Sequence, residues 1–356
     1  MIKEKTVIQD ILEDNNRLMK QKDGYLLRAQ HAKGHGCVRA IFSVREDIED
    51  MALKVGLFST PKQFEAVIRF SNARSINDTE KDAHGMAIKL LNVPGLKLHP
   101  GHEKRSTFDF ILIDHPIMFA ADLKEYHAIS KLVNDVAKLE FKNENTNLSK
   151  IKTKFGKIYA LLTAIKNSSF ATIKRLKKFP TDMPSSPVAR SYWSQTPYKL
   201  GEALAVKYVA RSCCTDEATV SDTNGLGKDA LKDALEQVLA TGEAKFTFGV
   251  HKRRENDSID DSTKPWWPEN DTGGLQSMIP LADITITGFV EESDLMAENL
   301  VFSAWNVTDA HEPLGGINRV RRKIYADLAT KRHNQNGAQA KCPFAEKDYG
   351  STDWPE

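Results

Sequence analysis

The chain has 356 residues, 40% hydrophobic and 28% charged, which is the composition of an ordinary globular protein. Its 50 basic and 48 acidic residues leave a formal net charge of +2, which argues against nucleic acid and a membrane surface as partners. No apolar run reaches the roughly 18 residues needed to cross a bilayer, and the N-terminus has no apolar core of a signal peptide, so we expect no integral membrane segment and no secretory leader.

The first half of the chain predicts one helix and then several strands. Apolar residues recur at helical spacing within the first twenty residues. Short runs rich in Val, Ile, Phe and Leu predict strands at 37–44, 64–72, 84–93 and 107–114. A helical stretch from about Ala120 to Phe179, with a polar break at 143–147, is predicted to stop at Pro180.

The second half continues the mixture of strands and helices. Strands are predicted at 190–200, 204–211, 244–251 and 281–290, and a helix at 228–240. The polar segment 253–274 is expected to form a long ordered loop. A last helix should begin near Ile317 and end at Asn336 or Gly337. We therefore expect one domain over residues 1–337 and a loosely packed tail over 338–356.

The order of these elements indicates the fold class. Regular alternation of strand and helix is not evident, so a parallel sheet is not expected. The sequence predicts an α+β fold, an antiparallel barrel with helical insertions and a C-terminal helix. Of the four cysteines, Cys37, Cys213, Cys214 and Cys342, no pair has CxxC spacing, which favours a reduced, cytoplasmic setting.

The last predicted helix places a phenol between two guanidinium groups. Arg321 lies four residues before Tyr325 and Arg332 seven after it, so the three share one helix face. A cation beside a phenol favours the phenolate, which is a suitable ligand for ferric iron. A basic surface helix with one amphipathic Tyr is the alternative, and a nucleic-acid site is disfavoured by the balanced charge.

A second candidate segment surrounds His31. The run Arg28-Ala-Gln-His31-Ala-Lys-Gly-His35-Gly places a histidine just before a predicted strand, where it could serve as a general acid and base. Gly34 and Gly36 suggest that the backbone passes close to a bulky group. A loop histidine bonded to a carbonyl is one alternative. A zinc pair of His31 and His35 is another, although Gly34 interrupts the helix that such ligands need.

Three motifs together resemble the haem catalases over most of the chain. RAQHAKGHG is similar to the family's distal signature, Arg-x-x-His-Ala-Lys-Gly-x-Gly. VIRFSNARSINDTEKDAHGMAIKL resembles its Val-Arg-Phe-Ser and Asp-x-x-Gly-x-Ala-x-Lys elements, and RKIYADLATKR resembles its proximal signature. The interval from His31 to Tyr325 is also close to that of the family. The resemblance implies a barrel of the catalase type and a haem b (iron protoporphyrin IX) site.

The resemblance also assigns roles to individual residues. His31 corresponds to the distal acid and base, Ser71 to the residue that orients its ring, and Tyr325 to the axial iron ligand, with Arg321 against its phenolate. Three arginines correspond to partners of the haem propionates, and Phe119 corresponds to a ring that stacks on the porphyrin; the arginines are Arg28, Arg69 and Arg332.

Two positions depart from the family pattern. Catalases carry a distal Asn shortly before an apolar strand, but the equivalent run here, Arg105 to Asp114, contains none. Ser106 or Thr107 is the nearest polar substitute, and we take Thr107 as the candidate. Gln30 replaces an apolar residue next to His31 and is expected to tether it. Loss of the Asn argues against rapid catalase turnover.

The chain is shorter at both ends than the catalases, which makes it similar to catalase-related peroxidases and allene oxide synthases. The segments YWSQTPY and PLGGINR are also typical of that short branch. The resemblance implies a haem-dependent oxidoreductase for hydrogen peroxide or organic hydroperoxides, of peroxidase type with weak catalase activity. Fatty-acid hydroperoxide rearrangement and haem binding without catalysis remain alternatives. The expected partners are a small peroxide or lipid hydroperoxide and, in a homodimer, a second copy of the chain.

Overall fold

The computed structural model describes residues 4–22, 24–100, 103–141, 169–214, 220 and 222–337. The expected polar break at 143–147, the tail 338–356 and Cys342 lie outside these residues. The described strands are β1 Gln21–Lys22, β2 Tyr25–Leu26, β3 Gly34–Val44, β4 Gln63–Asn72, β5 His84–Leu90, β6 Phe108–Ile113, β7 Tyr192–Trp193, β8 Tyr198–Leu200, β9 Leu204–Ser212, β10 Ala244–Lys252 and β11 Ile279–Phe289. The described α-helices are α1 Glu4–Leu18, α2 Leu123–Phe141, α3 Phe170–Lys178, α4 Ala230–Thr241, α5 Ser293–Asn299 and α6 Gly316–Asn336.

Eight of these strands close into an antiparallel barrel, which confirms the predicted α+β class. Around the barrel the order is β3, β4, β5, β6, β7, β9, β10 and β11, with β11 pairing back to β3, and β8 extends the sheet from β9. Each barrel strand thus has a neighbour on both sides, although β6 and β7 pair only at Ile113 and Trp193. Among the described residues, no helix is long and apolar enough to cross a membrane.

The barrel interior is filled by aromatic side chains and is not a pore. Phe42, Phe110, Phe248 and Tyr208 are almost fully buried, and the rings of Phe110 and Phe248 lie 4.7 Å apart between centroids. Such ring pairs add about 1 kcal/mol each beyond the burial of their area. Because side chains alternate along a strand, every second residue of β4, β5 and β6 points away from this core. Any cavity therefore has to lie on the outer face of the barrel.

Helix α6 packs on the outside against α1, and the sequence explains why it forms there. Ile317, Val320 and Ile324 recur at helical spacing and are buried, and Val320 and Ile324 pack against the apolar stripe of α1. Gly337 ends the helix with φ +60° and donates its N–H to the carbonyl of His333, as a C-terminal glycine does. The predicted end at Asn336 or Gly337 is thus confirmed.

The strand predictions hold except where the backbone reverses. The predicted strand 190–200 is two short strands, because Gln195 adopts φ +59° and Pro197 has no N–H to donate. The predicted strand 84–93 ends at Leu90, shortly before Asn92 with φ +55°. Helix α5 is not predicted from the sequence; it has only seven residues, too few for a clear helical pattern.

Candidate active site

One cavity of about 620 Å³ lies between the barrel wall, α1, α2, α3 and α6. Its volume falls in the range of roughly 300–1,000 Å³ that is usual for small-molecule and cofactor sites. Eight of the nine residues predicted from the sequence to form the site line this cavity: Arg28, His31, Arg69, Ser71, Phe119, Arg321, Tyr325 and Arg332.

Thr107 is the predicted site residue that is not among those lining the cavity. Its hydroxyl is buried and accepts a hydrogen bond from the Asn306 amide at 2.9 Å. Ser106, the other substitute considered for the distal Asn, does not line the cavity either. The outward residues of β6 on this wall are Ile111 and Ile113, so the strand that could have supplied a second polar group offers aliphatic side chains instead.

His31 is positioned by the barrel wall. Its ring Nδ1 lies 3.0 Å from Ser71 Oγ, and its backbone, in the left-handed region at φ +56°, donates to the carbonyl of Ala73. Arg69 Nη2 donates to the carbonyl of His31 at 2.9 Å. A non-glycine residue with this backbone conformation persists only where the surroundings hold it. Contacts at its ring, N–H and carbonyl therefore fix His31 in one orientation.

Gly85 supplies the space for the His31 ring and was not assigned a role from the sequence. It pairs with Ser71 across β4 and β5, and a Cβ atom on it would lie 2.6 Å from His31 Cε1. Any side chain at this position would therefore displace the ring. The signal was present in the sequence, since Gly85 is the glycine of the Asp-x-x-Gly motif.

The pKa of His31 lies far below its ordinary value. Burial lowers it to about 3, helped by the positive charges of Arg69, Arg28 and Arg321, while Asp114 opposes the shift. The imidazole is therefore neutral at ordinary pH and can accept a proton.

The residues on either side of His31 contact protein groups. These residues are Gln30, Gly34, His35 and Gly36. The Gln30 amide donates to Asn15 Oδ1 at 3.2 Å, so the structure does not show the expected tether to His31. His35 is buried and its Nε2 lies 3.0 Å from Asn72 Oδ1, and no group of three or more His, Cys, Asp or Glu among the described residues could hold a metal ion. The backbone at Gly34 and Gly36 does pass close to bulky groups, which are protein side chains such as Arg69.

Tyr325 faces the cavity from α6 together with Arg321. Arg321 Nη2 donates to Tyr325 Oη at 3.0 Å, and its guanidinium carbon lies 5.2 Å from the centre of the phenol ring. Burial lowers the pKa of Arg321, but the phenols of Tyr325 and Tyr198 raise it more, so the net direction is upward. The permanent positive charge of the Arg321 guanidinium is thus held beside the phenol oxygen of Tyr325.

Three arginines from distant parts of the chain converge on one residue, Glu298. Arg28 and Arg69 lie 3.4 Å and 3.8 Å from the carboxylate oxygens of Glu298, and Arg332 donates to the backbone carbonyl of that residue. Burial, then mutual repulsion, lowers the pKa of Arg69 to about 9 and that of Arg332 well below its ordinary value. The cluster has more positive than negative charge, which suits an anionic group. Glu298, on the unpredicted helix α5, was not found from the sequence.

Phe119 lies at the edge of the cavity in an aromatic cluster. Its ring stacks near parallel on Tyr126 with 6.0 Å between centroids and meets Phe179 edge on at 5.3 Å. The segment that carries it is fixed by Gln195, whose amide donates to the carbonyls of His115 and Ile117. Phe119 is therefore a fixed apolar wall.

Comparison with solved structures identifies the architecture. The chain superposes on a fungal catalase with a TM-score of 0.66 and 18% identity, covering 97% of this chain and 66% of the catalase. Catalase A from Saccharomyces cerevisiae superposes with a TM-score of 0.66 and 18% identity, covering 97% of this chain and 68% of the catalase. A bacterial catalase superposes with a TM-score of 0.64 and 16% identity, covering 99% of this chain and 64% of the catalase. The chain spans about two thirds of the length of these enzymes. No family model and no curated protein sequence matches it. The protein therefore has the catalase fold.

Proposed function

We propose that the protein binds haem in this cavity and uses it to reduce peroxides. The observation that carries the proposal is the meeting, in one cavity, of the Tyr325–Arg321 pair, the His31–Ser71 pair and an arginine cluster. The likeness to catalases supports the fold that brings them together. Neither the pairs nor the cluster is needed to fill the barrel core, which is packed without them.

The residues present fit a haem. Tyr325 would hold the iron through its phenol oxygen, because tyrosinate is a known protein ligand of haem iron. Arg28 and Arg69 face the carboxylate of Glu298 and Arg332 donates to its backbone carbonyl, so one negative charge lies among three guanidinium groups, and the excess of positive charge matches the two propionates that haem carries. The remaining lining is largely apolar, as a porphyrin requires.

The side chains divide the chemical work between them. The haem would supply the iron centre at which the O–O bond of a peroxide is cleaved. Ser71 engages Nδ1 of His31, which leaves Nε2 to take the proton from one peroxide oxygen and return it to the other. Arg321 stabilises negative charge on the oxygen of Tyr325. Ile111 and Ile113 make the wall beside His31 apolar and exclude water from it.

The substrate is proposed to be an organic hydroperoxide or hydrogen peroxide in a peroxidase reaction, with weak catalase activity. Catalase turnover needs rapid handling of a second hydrogen peroxide, and the polar group expected beside His31 is replaced here by aliphatic residues. Rearrangement of a lipid hydroperoxide is the second candidate. It is favoured by the apolar cavity wall contributed by α2 and α3, which includes Ile129, Val133 and Leu176.

The test is single-turnover and steady-state kinetics of the haem-loaded protein beside His31→Ala. We expect hydrogen peroxide and cumene hydroperoxide to change the wild-type spectrum and to oxidise an added phenolic donor. His31→Ala should slow this reaction by roughly 10²-fold or more, the usual contribution of a positioned acid and base. Equal rates in both proteins would contradict an enzymatic role and leave a haem-binding protein without turnover. Conversion of a lipid hydroperoxide without consumption of the donor would favour the second candidate.

A further inference from the structure

The guanidinium group that contacts Tyr325 is itself held by two buried, uncharged side chains. Arg321 Nη1 donates to Thr196 Oγ1 at 3.2 Å and to Asn318 Oδ1 at 3.1 Å. Thr196 is 2% exposed and Asn318 is fully buried. One edge of the guanidinium is thus fixed by the protein, while Nη2 donates to the phenol oxygen.

The contacts of Asn318 determine which way its amide points. Its Nδ2 donates to the carbonyls of Pro197 and Leu314, both at 2.9 Å, so the nitrogen cannot be exchanged with the oxygen without losing both bonds. Thr196 Oγ1 lies 3.1 Å from Asn318 Oδ1 and 3.3 Å from the carbonyl oxygen of Ser194, so the only proton of its hydroxyl is donated to one of these two acceptors. Both oxygens beside Arg321 are therefore obliged to act as acceptors.

Neither acceptor carries a charge. Across the described part of the chain, no carboxylate lies within ion-pair distance of Arg321, whereas Arg28 and Arg69 share the carboxylate of Glu298. A carboxylate in place of Asn318 would divide the positive charge of the guanidinium between two oxygens. A neutral amide and a hydroxyl orient the group and leave its charge to the phenol.

We propose that Asn318 and Thr196 are positioning residues that direct the whole charge of Arg321 to the oxygen of Tyr325. The inference rests on the proposed function, in which that oxygen is the axial ligand of haem. A cation on the ligand oxygen withdraws electron density from it, and a poorer donor raises the reduction potential of the iron. The uncharged side chains of Asn318 and Thr196 therefore keep the reduction potential of the iron higher than a carboxylate beside Arg321 would.

The first test measures the reduction potential and the tyrosinate charge-transfer band of the haem-loaded protein. Asn318→Asp should shift the potential negative, because the new carboxylate competes with Tyr325 for the guanidinium charge. Thr196→Val should shift it in the same direction, and Thr196→Ser should restore it because the hydroxyl is kept. Asn336→Asp is the matched control, since Asn336 lies on the same helix but bonds the backbone of Leu26. A potential in Asn318→Asp equal to that of Asn336→Asp would overturn the inference.

The second test uses the haem-free protein and needs no activity. Asn318→Ala, Arg321→Leu and the double variant are compared by chemical unfolding, and the two single effects should not add, because the residues share a hydrogen bond. Additive effects would overturn the inference. Non-additive effects in a protein that gives no haem spectrum would refute the proposed function, while the anchoring of Arg321 by Asn318 would stand. A normal haem spectrum with unchanged potentials would refute the inference alone.

Discussion

Gly85→Ala introduces a single methyl group where the His31 ring lies against the barrel wall. Its Cβ would lie 2.6 Å from His31 Cε1, 2.7 Å from Nδ1 and 3.0 Å from Ser71 Oγ. Carbon atoms pack at about 3.5–4.0 Å, so the ring has to move by about 1 Å. Gly85 lies within a regular strand without a positive φ, so alanine suits its backbone and the damage is confined to the ring.

A displacement of this size at an acid and base group costs roughly 10²-fold in rate. We therefore expect the second-order rate constant with hydrogen peroxide, measured by stopped flow on the haem-loaded variant, to fall by about that factor. Overpacking should lower the free energy of unfolding by about 1–3 kcal/mol. Gly227→Ala is the control, because a Cβ there meets nothing within 4 Å. A Gly85→Ala protein that reacts as fast as the control would refute the assigned position of His31.

Three further predictions concern the same cavity. Ser71→Ala removes the hydroxyl that lies 3.0 Å from His31 Nδ1. We expect the second-order rate constant with hydrogen peroxide to fall about tenfold, which corresponds to about 1.4 kcal/mol. An unchanged rate constant in stopped flow would exclude the role of Ser71 in orienting His31. Arg332→Leu removes one of the three arginines proposed to hold the haem propionates, so titration with haem should give a Kd at least about tenfold higher. An equal Kd would count against this role of the arginine cluster. Because the pKa of His31 is about 3, the rate should change by no more than about twofold between pH 5 and 8. An ordinary pKa near 6.5 would instead leave the imidazole protonated at pH 5 and cost about 30-fold.

Much of the fold is readable from the sequence because the core strands carry strong local patterns. Strands β4, β9 and β10 and helix α6 begin and end within one or two residues of their predictions. The errors fall where tertiary contacts override local propensity. Gln195 reverses the chain in a segment that reads as a strand, because its amide is bonded to two carbonyls of a distant loop. That loop begins eighty residues earlier in the chain at His115, so no window around Gln195 contains the cause.

The candidate site is predictable to the extent that its residues lie in recognisable motifs. His31, Ser71 and Tyr325 each stand in a short pattern, and the structure brings all three to one cavity. Thr107 was chosen only by its sequence distance from the missing Asn; it lies just before β6, its hydroxyl accepts a hydrogen bond from Asn306, and the cavity is lined by Ile111 and Ile113 further along the strand. Glu298 has no motif, since its role depends on the packing of α5 against three arginines from elsewhere in the chain.

The most direct test of the account is the absorption spectrum of the haem-reconstituted wild-type protein beside that of Tyr325→Phe. Phenylalanine keeps the ring that packs near Arg321 and removes only the oxygen that is proposed to hold the iron. The account predicts a high-spin ferric spectrum with a tyrosinate charge-transfer band in the wild type, and loss of that band in Tyr325→Phe. A wild-type protein that takes up no haem, or identical haem spectra in the two proteins, would contradict it.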